Sequence, residues 1–188
     1  MKKKVLFTAL LSCSLLVACG GDSYKKVTKE KVDEVLAANI AKEVTYKGAT
    51  SSFTVTKLDV DISADSLDTA TKDAFIAATK AQMLSEIGVE EVGKAVTQEL
   101  TEDDIAGYKV VSIPETVEEM TVSYYVSGEK IKVVMEGENQ GQRLKQTTFI
   151  NENAWAEKID LETSISMEQS GVTVSIEFNA TESLSYKL

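Results

Sequence analysis

The sequence predicts an α+β domain: a long, curved antiparallel β-meander, half-barrel-like, with two or three helices covering its apolar face. Three observations carry this. From Met120 to the C-terminus, apolar and polar residues alternate with a period of two between short polar turns, the pattern of antiparallel strands with one dry and one wet face. Two upstream stretches carry apolar residues at helical spacing instead. The dry face of such a sheet must be covered, and those helices are the material available.

The chain opens with a basic Met1-Lys2-Lys3-Lys4, then an apolar run from Val5 to Val17 ending in Leu16-Val17-Ala18-Cys19. The run is shorter than the ~20 residues that span a bilayer. It gives way abruptly to Gly20-Gly21-Asp22-Ser23. This order resembles a bacterial lipoprotein signal peptide closed by a lipobox. The resemblance implies diacylglycerol on the Cys19 sulfur, cleavage just before it, and an acylated N-terminus. Two or more acyl chains there anchor a protein stably, where one does not. The expected organisation is a cleaved signal over 1–18, a lipidated tether over 19–26 and a single α+β domain over 27–188.

Thr28 can cap a helix over about Lys29–Glu43, with Val32, Val35, Leu36 and Ile40 on one side. Ser52 to Ile62 alternates as a strand, and its apolar phase slips near Lys57, the mark of a bulge. Asp65 or Ser66 can cap a second helix, Leu67–Ile87, whose stripe is Leu67, Ala70, Ala74, Ala78, Ala81 and Leu84, with Phe75 beside it. Such an Ala-rich stripe lets a helix sit close against a sheet, and Gly88 is a natural stop. Glu90 to Leu100 reads as a short third helix, followed by a cap or turn at Thr101-Glu102-Asp103-Asp104.

Pro114 breaks the chain before the meander. Met120, Val122, Tyr124 and Val126 share a phase, then Ile131, Val133 and Met135 after the turn at Ser127-Gly128-Glu129-Lys130. A more polar strand, Leu144 to Ile150, turns at Asn151-Glu152-Asn153. Trp155, Ile159, Leu161, Ile165 and Met167 fall on odd positions. Beyond Gln169-Ser170-Gly171 the apolar residues Val172, Val174, Ile176, Phe178, Ala180, Leu184, Tyr186 and Leu188 fall on even ones. The last two strands exceed the usual ~5–6 residues and must twist and curve.

Composition narrows the chemistry. The formal charge is −10, and loss of Lys2, Lys3 and Lys4 with the signal takes it to −13. Such a surface repels nucleic acid, so no nucleic-acid partner is expected. There is no histidine, which removes the usual general base and the commonest zinc ligand. Cys13 leaves with the signal and Cys19 takes the lipid, so no thiol remains for a disulfide, metal or nucleophile. Asp59-x-Asp61-x-Ser63-x-Asp65 has the look of a calcium loop. It carries Ala64 where the turn needs Gly and Ala70 where the loop needs its closing Glu. The pairs Glu90-Glu91, Glu118-Glu119 and Glu136-x-Glu138 read as solvated surface. No phosphate loop or nucleophile motif is present. We expect no enzymatic activity, no cofactor and no metal.

The order of lipobox, tether, amphipathic helix, strand, long helix and curved meander resembles the LolA/LppX-like lipoprotein and lipid carriers. That fold is a half-open barrel with helices lidding its concave apolar face, and the resemblance implies carriage of an apolar ligand. On this reading the protein is an extracytoplasmic, membrane-anchored binding lipoprotein for a lipid or lipopeptide. Val122, Tyr124, Val133, Val174, Ile176 and Phe178 are the candidate lining residues; the same six also fit a plain core. Tyr125, Trp155 and Tyr186 are further candidates for a groove. The alternative is a structural lipoprotein that binds another envelope protein and no small ligand. The single arginine among 20 basic residues suggests a low-GC genome, hence a Gram-positive cell membrane rather than a Gram-negative outer membrane.

Overall fold

The computed structural model describes residues 23–188. The expected signal peptide and Cys19 lie outside them. One eight-stranded antiparallel sheet dominates, in the order β1-β4-β5-β6-β7-β8-β2-β3. Its strands are β1 (Lys25–Val27), β2 (Gly48–Ala64), β3 (Val96–Thr101), β4 (Met120–Ser127), β5 (Lys130–Asn139), β6 (Gln142–Ile150), β7 (Ala156–Gln169) and β8 (Val172–Lys187). The helices are α1 (Lys29–Ile40), α2 (Thr69–Glu86) and the short α3 (Glu102–Ile105). The α+β meander expected from the alternation is present, and β2 extends it by pairing with β8. The sheet does not close, so β1 and β3 are its edges.

Two local devices set its register. The ladder shifts between Val55 and Lys57, so Thr56 is an extra residue. Before it the inward positions of β2 are odd (Ala49, Ser51, Phe53, Val55); after it they are even (Leu58, Val60, Ile62, Ala64). The slip of phase visible in the sequence is this bulge. The β5–β6 and β7–β8 hairpins turn on Gln140-Gly141 and Ser170-Gly171, all four with positive φ. Two such residues in a row match the right-handed twist of the flanking strands.

Residues paired across antiparallel strands share a face. One row can therefore be followed through all eight strands: Val27, Tyr124, Val133, Thr148, Ile159, Glu182, Phe53, Val96. Both long helices pack on this face, at opposite ends. Thr28 caps α1, its Oγ1 accepting from the Lys31 N–H at 3.4 Å. Val32 and Leu36 of α1 join Ile113, Tyr124, Ile131, Val133 and Ile150 in one buried cluster over β4 and β5. Asp68 caps α2, rather than Asp65 or Ser66. Ile76, Met83 and Leu84 of α2 lie against Val55, Leu58, Val60, Val89, Ile176 and Phe178 over β2 and β8. A third cluster, Tyr46, Ala49, Ile105, Trp155 and Leu184, fills the end of the sheet beside α3. There Thr101 and Asp104 form a capping box.

Three expectations are corrected. Residues 96–101 form strand β3 rather than part of a helix; they pair with Gly48–Phe53, whose backbone would otherwise be an open edge. The stripe of Ala70, Ala74, Ala78 and Ala81 faces solvent. The larger Ile76, Met83 and Leu84 remove more apolar area from water and win the inward side. Finally, α1 does not cover Ile176 and Phe178; only α2 does. A single residue, Thr28, separates α1 from β1, so α1 is held over the strands beside that edge.

Candidate ligand site

Between the two helix-covered ends, the C-terminal end of α2 overhangs the sheet and leaves two clefts. The first, of about 240 Å³, is lined by Met83, Glu86, Ile87, Thr163, Ile165, Ile176 and Phe178. Its floor is set by register: Phe178 lies opposite Thr163, and Ile176 opposite Ile165. The second, of about 280 Å³, is lined by Ser51, Phe53, Ile87, Val96, Gln98 and Glu182. Ile87 walls both. Each alone is smaller than the ~300–1,000 Å³ of typical small-molecule sites.

A complete C-terminal cap sets the roof. Val89 N–H donates to the Leu84 carbonyl at 2.9 Å and Gly88 N–H to the Ser85 carbonyl at 3.2 Å. Gly88 supplies the required positive φ of +72°. Val89 is buried against Val55, Leu58 and Val60, which pins this end of α2 to β2. Ile87, just before the glycine, is left 43% exposed over the clefts.

The six candidate lining residues divide. Ile176 and Phe178 line the first cleft. Val122, Tyr124 and Val133 belong to the cluster under α1. Tyr124 is fixed there, its hydroxyl donating to the Pro114 carbonyl at 2.8 Å; burial pushes its pKa up. Val174 shares their face, opposite Ile62 and Met167, but is not among the lining residues. Trp155 is buried in a ring cluster with Tyr46 and Tyr186. Tyr125 lies on the opposite face beneath the Lys132 ammonium. Asp59, Asp61 and Ser63 alternate outward from β2, and no group of three or more metal-ligating side chains occurs among the described residues.

Met83, Ile87, Ile165 and Glu182 are lining residues that sequence reasoning left aside. The signal for Glu182 was present. It is the single gap in the even apolar phase of β8, between Ala180 and Leu184. Register makes it the only charged residue on the covered face of β2–β8, flanked in its row by Ile159 and Phe53. Its Oε1 accepts from Ser51 Oγ at 2.7 Å and from the Tyr108 hydroxyl at 2.9 Å. Burial and this bond push the Tyr108 pKa up to about 12. The opposite face has its own depression, of about 230 Å³, around Lys57, Arg143 and Lys145. There Lys57 is already paired with Glu177 and Lys145 with Glu162.

Comparison with protein-family models, curated proteins and solved structures returns no significant match.

Proposed function

We propose that the protein is a membrane-anchored, extracytoplasmic lipoprotein that binds an apolar ligand such as a lipid or lipopeptide chain, without chemistry on it. The observation that carries this is the first cleft: Met83, Ile87, Ile165, Ile176 and Phe178 present an open apolar surface beneath a helix end. Apolar clefts with a few polar groups at the margin are the usual form of small-molecule sites. The roof suits entry and release, because no residue of α2 is fully buried. The body of α2 stays packed on Val55, Leu58 and Val60, while Ile87 at its end is left exposed over the clefts. The Leu16-Val17-Ala18-Cys19 pattern behind a basic, apolar leader supports the anchor.

Native mass spectrometry of the protein isolated from its host membrane tests both parts. The expected result is a diacylated Cys19 N-terminus with a co-purified lipid-sized adduct. Cys19→Ala is expected to release the protein from membranes or stall its processing. A protein that carries no adduct and takes up no added single-chain amphiphile overturns the binding reading. An unmodified N-terminus downstream of Cys19 overturns the anchor.

A further inference from the structure

Glu182 has no place in a plain apolar lining. It sits half-buried on the covered face of the sheet, and no lysine or arginine lies within ion-pair distance of it among the described residues. Both hydrogen bonds it accepts fall on Oε1, from Ser51 and Tyr108. Those donors hold the carboxylate in place. Oε2 accepts nothing from the described residues, and Glu182 lines the second cleft beside Ser51 and Gln98. A half-buried carboxylate without a cation loses hydration that two hydroxyl groups only partly replace. The carboxylate is therefore poised to gain from an incoming cation, whose attraction strengthens where water is thinned.

The geometry couples this group to the apolar cleft. Phe178, in the first cleft, and Glu182, in the second, lie on the same face of β8 four residues apart, a span of ~13 Å at the usual strand rise. The residue between them on that face is Ala180, which is buried and lines neither cleft, so a ligand that spans both crosses above it along Ile87. Ile87 stands over both ends. We propose that the two clefts form one site for a cationic amphiphile: the aliphatic chain lies along Phe178, Ile176 and Ile165, and an ammonium head group donates N–H bonds to Glu182. This rests on the apolar-ligand reading above and adds the charge and polarity of the head. A carboxylate at this point repels an anionic head and offers an alcohol only an ordinary hydrogen bond. An ammonium brings a charge-assisted bond, about twice as strong as a neutral one.

The test is calorimetric titration of the purified protein with three probes of equal chain length: decylammonium chloride, decanol and sodium decanoate, each below its micelle concentration. Decylammonium is expected to bind at least tenfold tighter than the other two, with the advantage shrinking at high salt. Glu182→Gln keeps the side-chain shape and an acceptor for Ser51 and Tyr108. It is expected to abolish the tenfold preference by lowering decylammonium affinity to about that of decanol. If that variant fails to fold, the ranking of the three probes on the unaltered protein and its salt dependence still decide. Equal binding of all three probes overturns the head-group assignment and leaves the apolar-ligand reading standing. Binding of none overturns the ligand reading, and this inference with it.

Discussion

The two long helices sit on the same face of the same sheet and cover it very differently. Helix α1 has 12 residues and buries Val32, Leu36 and Asn39. Helix α2 has 18 residues and buries none. Beneath α1, Ile131 and Ile150 are almost completely removed from water; beneath α2, Val55, Leu58 and Val60 of β2 are buried too, but Ile176 and Phe178 of β8 are only partly covered. Length is therefore a poor guide to coverage. What matters is how many large side chains face inward, and α2 gives much of its surface to alanines that face solvent. The α1 end is a conventional core. The α2 end is a lid over a surface that is only partly dry.

Substitution should separate the two ends sharply. Leu36→Ala, in the cluster under α1, is expected to cost ~2–5 kcal/mol in chemical denaturation, the range for a fully buried leucine. Leu84→Ala, the counterpart under α2, should cost about 1 kcal/mol. Similar losses at both positions would break the contrast.

Asn39→Ala probes the junction between α1 and the hairpin ends. The Asn39 side-chain amide donates to the Glu129 carbonyl at 2.7 Å and, more weakly, to that of Asn151 at 3.5 Å. Its Oδ1 is buried with no partner among the described residues. Loss of the donor leaves the turn carbonyl unsatisfied, so a cost of ~1–2 kcal/mol is expected. Gly88→Ala should cost ~1 kcal/mol by forcing alanine to a left-handed φ, although no atom obstructs the added Cβ. Hydrogen exchange in that variant should rise in α2 and stay unchanged in α1. Equal loosening of both helices would mean that the two ends unfold as one unit.

The smallest effects are at the cleft itself. Ile176→Thr is expected to cost under ~1 kcal/mol, because the position is only half-buried, yet to weaken retention of an apolar ligand several-fold. The opposite ranking, stability lost and retention kept, would make Ile176 a core residue. Stability should also fall at alkaline pH. Tyr108 is held neutral to about 12 in the fold, through burial first and Glu182 second. An unfolded tyrosine ionises near ~10. The contribution is therefore complete below ~10 and is lost between there and about 12. Tyr186, also raised by burial, acts in the same direction. Melting curves of Tyr108→Phe should show a shallower decline over this window than the unaltered protein.

Much of this fold was legible in the chain because its signals are local. The bulge at Thr56 shows as a slip in alternation. The hairpin at Ser170-Gly171 and the stop at Gly88 show as turn chemistry. What escaped depends on partners distant in sequence. Val96–Thr101 is a strand because Gly48–Phe53 offers an edge, which no window around residue 96 contains. Two stripes on α2 satisfy helical spacing, and only the surface beneath selects Ile76, Met83 and Leu84. The site was half visible for the same reason. Ile176 and Phe178 follow from the phase of β8, but Ile87 and Glu182 meet only once β8 lies beside β2 and the C-terminal end of α2 folds back over both.

The pairing of β2 with β8 also governs when this protein can fold. Gly48 is in register with Lys187, and Ala64 with Val172. A growing chain therefore holds β2 with most of its length unpaired until the 16 residues of β8 emerge. Contacts this far apart in sequence carry a large loop-closure cost and form slowly. The sheet is thus completed only once β8 has been made, and a loosely structured chain persists until then. That delay suits a polypeptide that must be threaded through a translocation channel before it folds, as the proposed N-terminal leader requires.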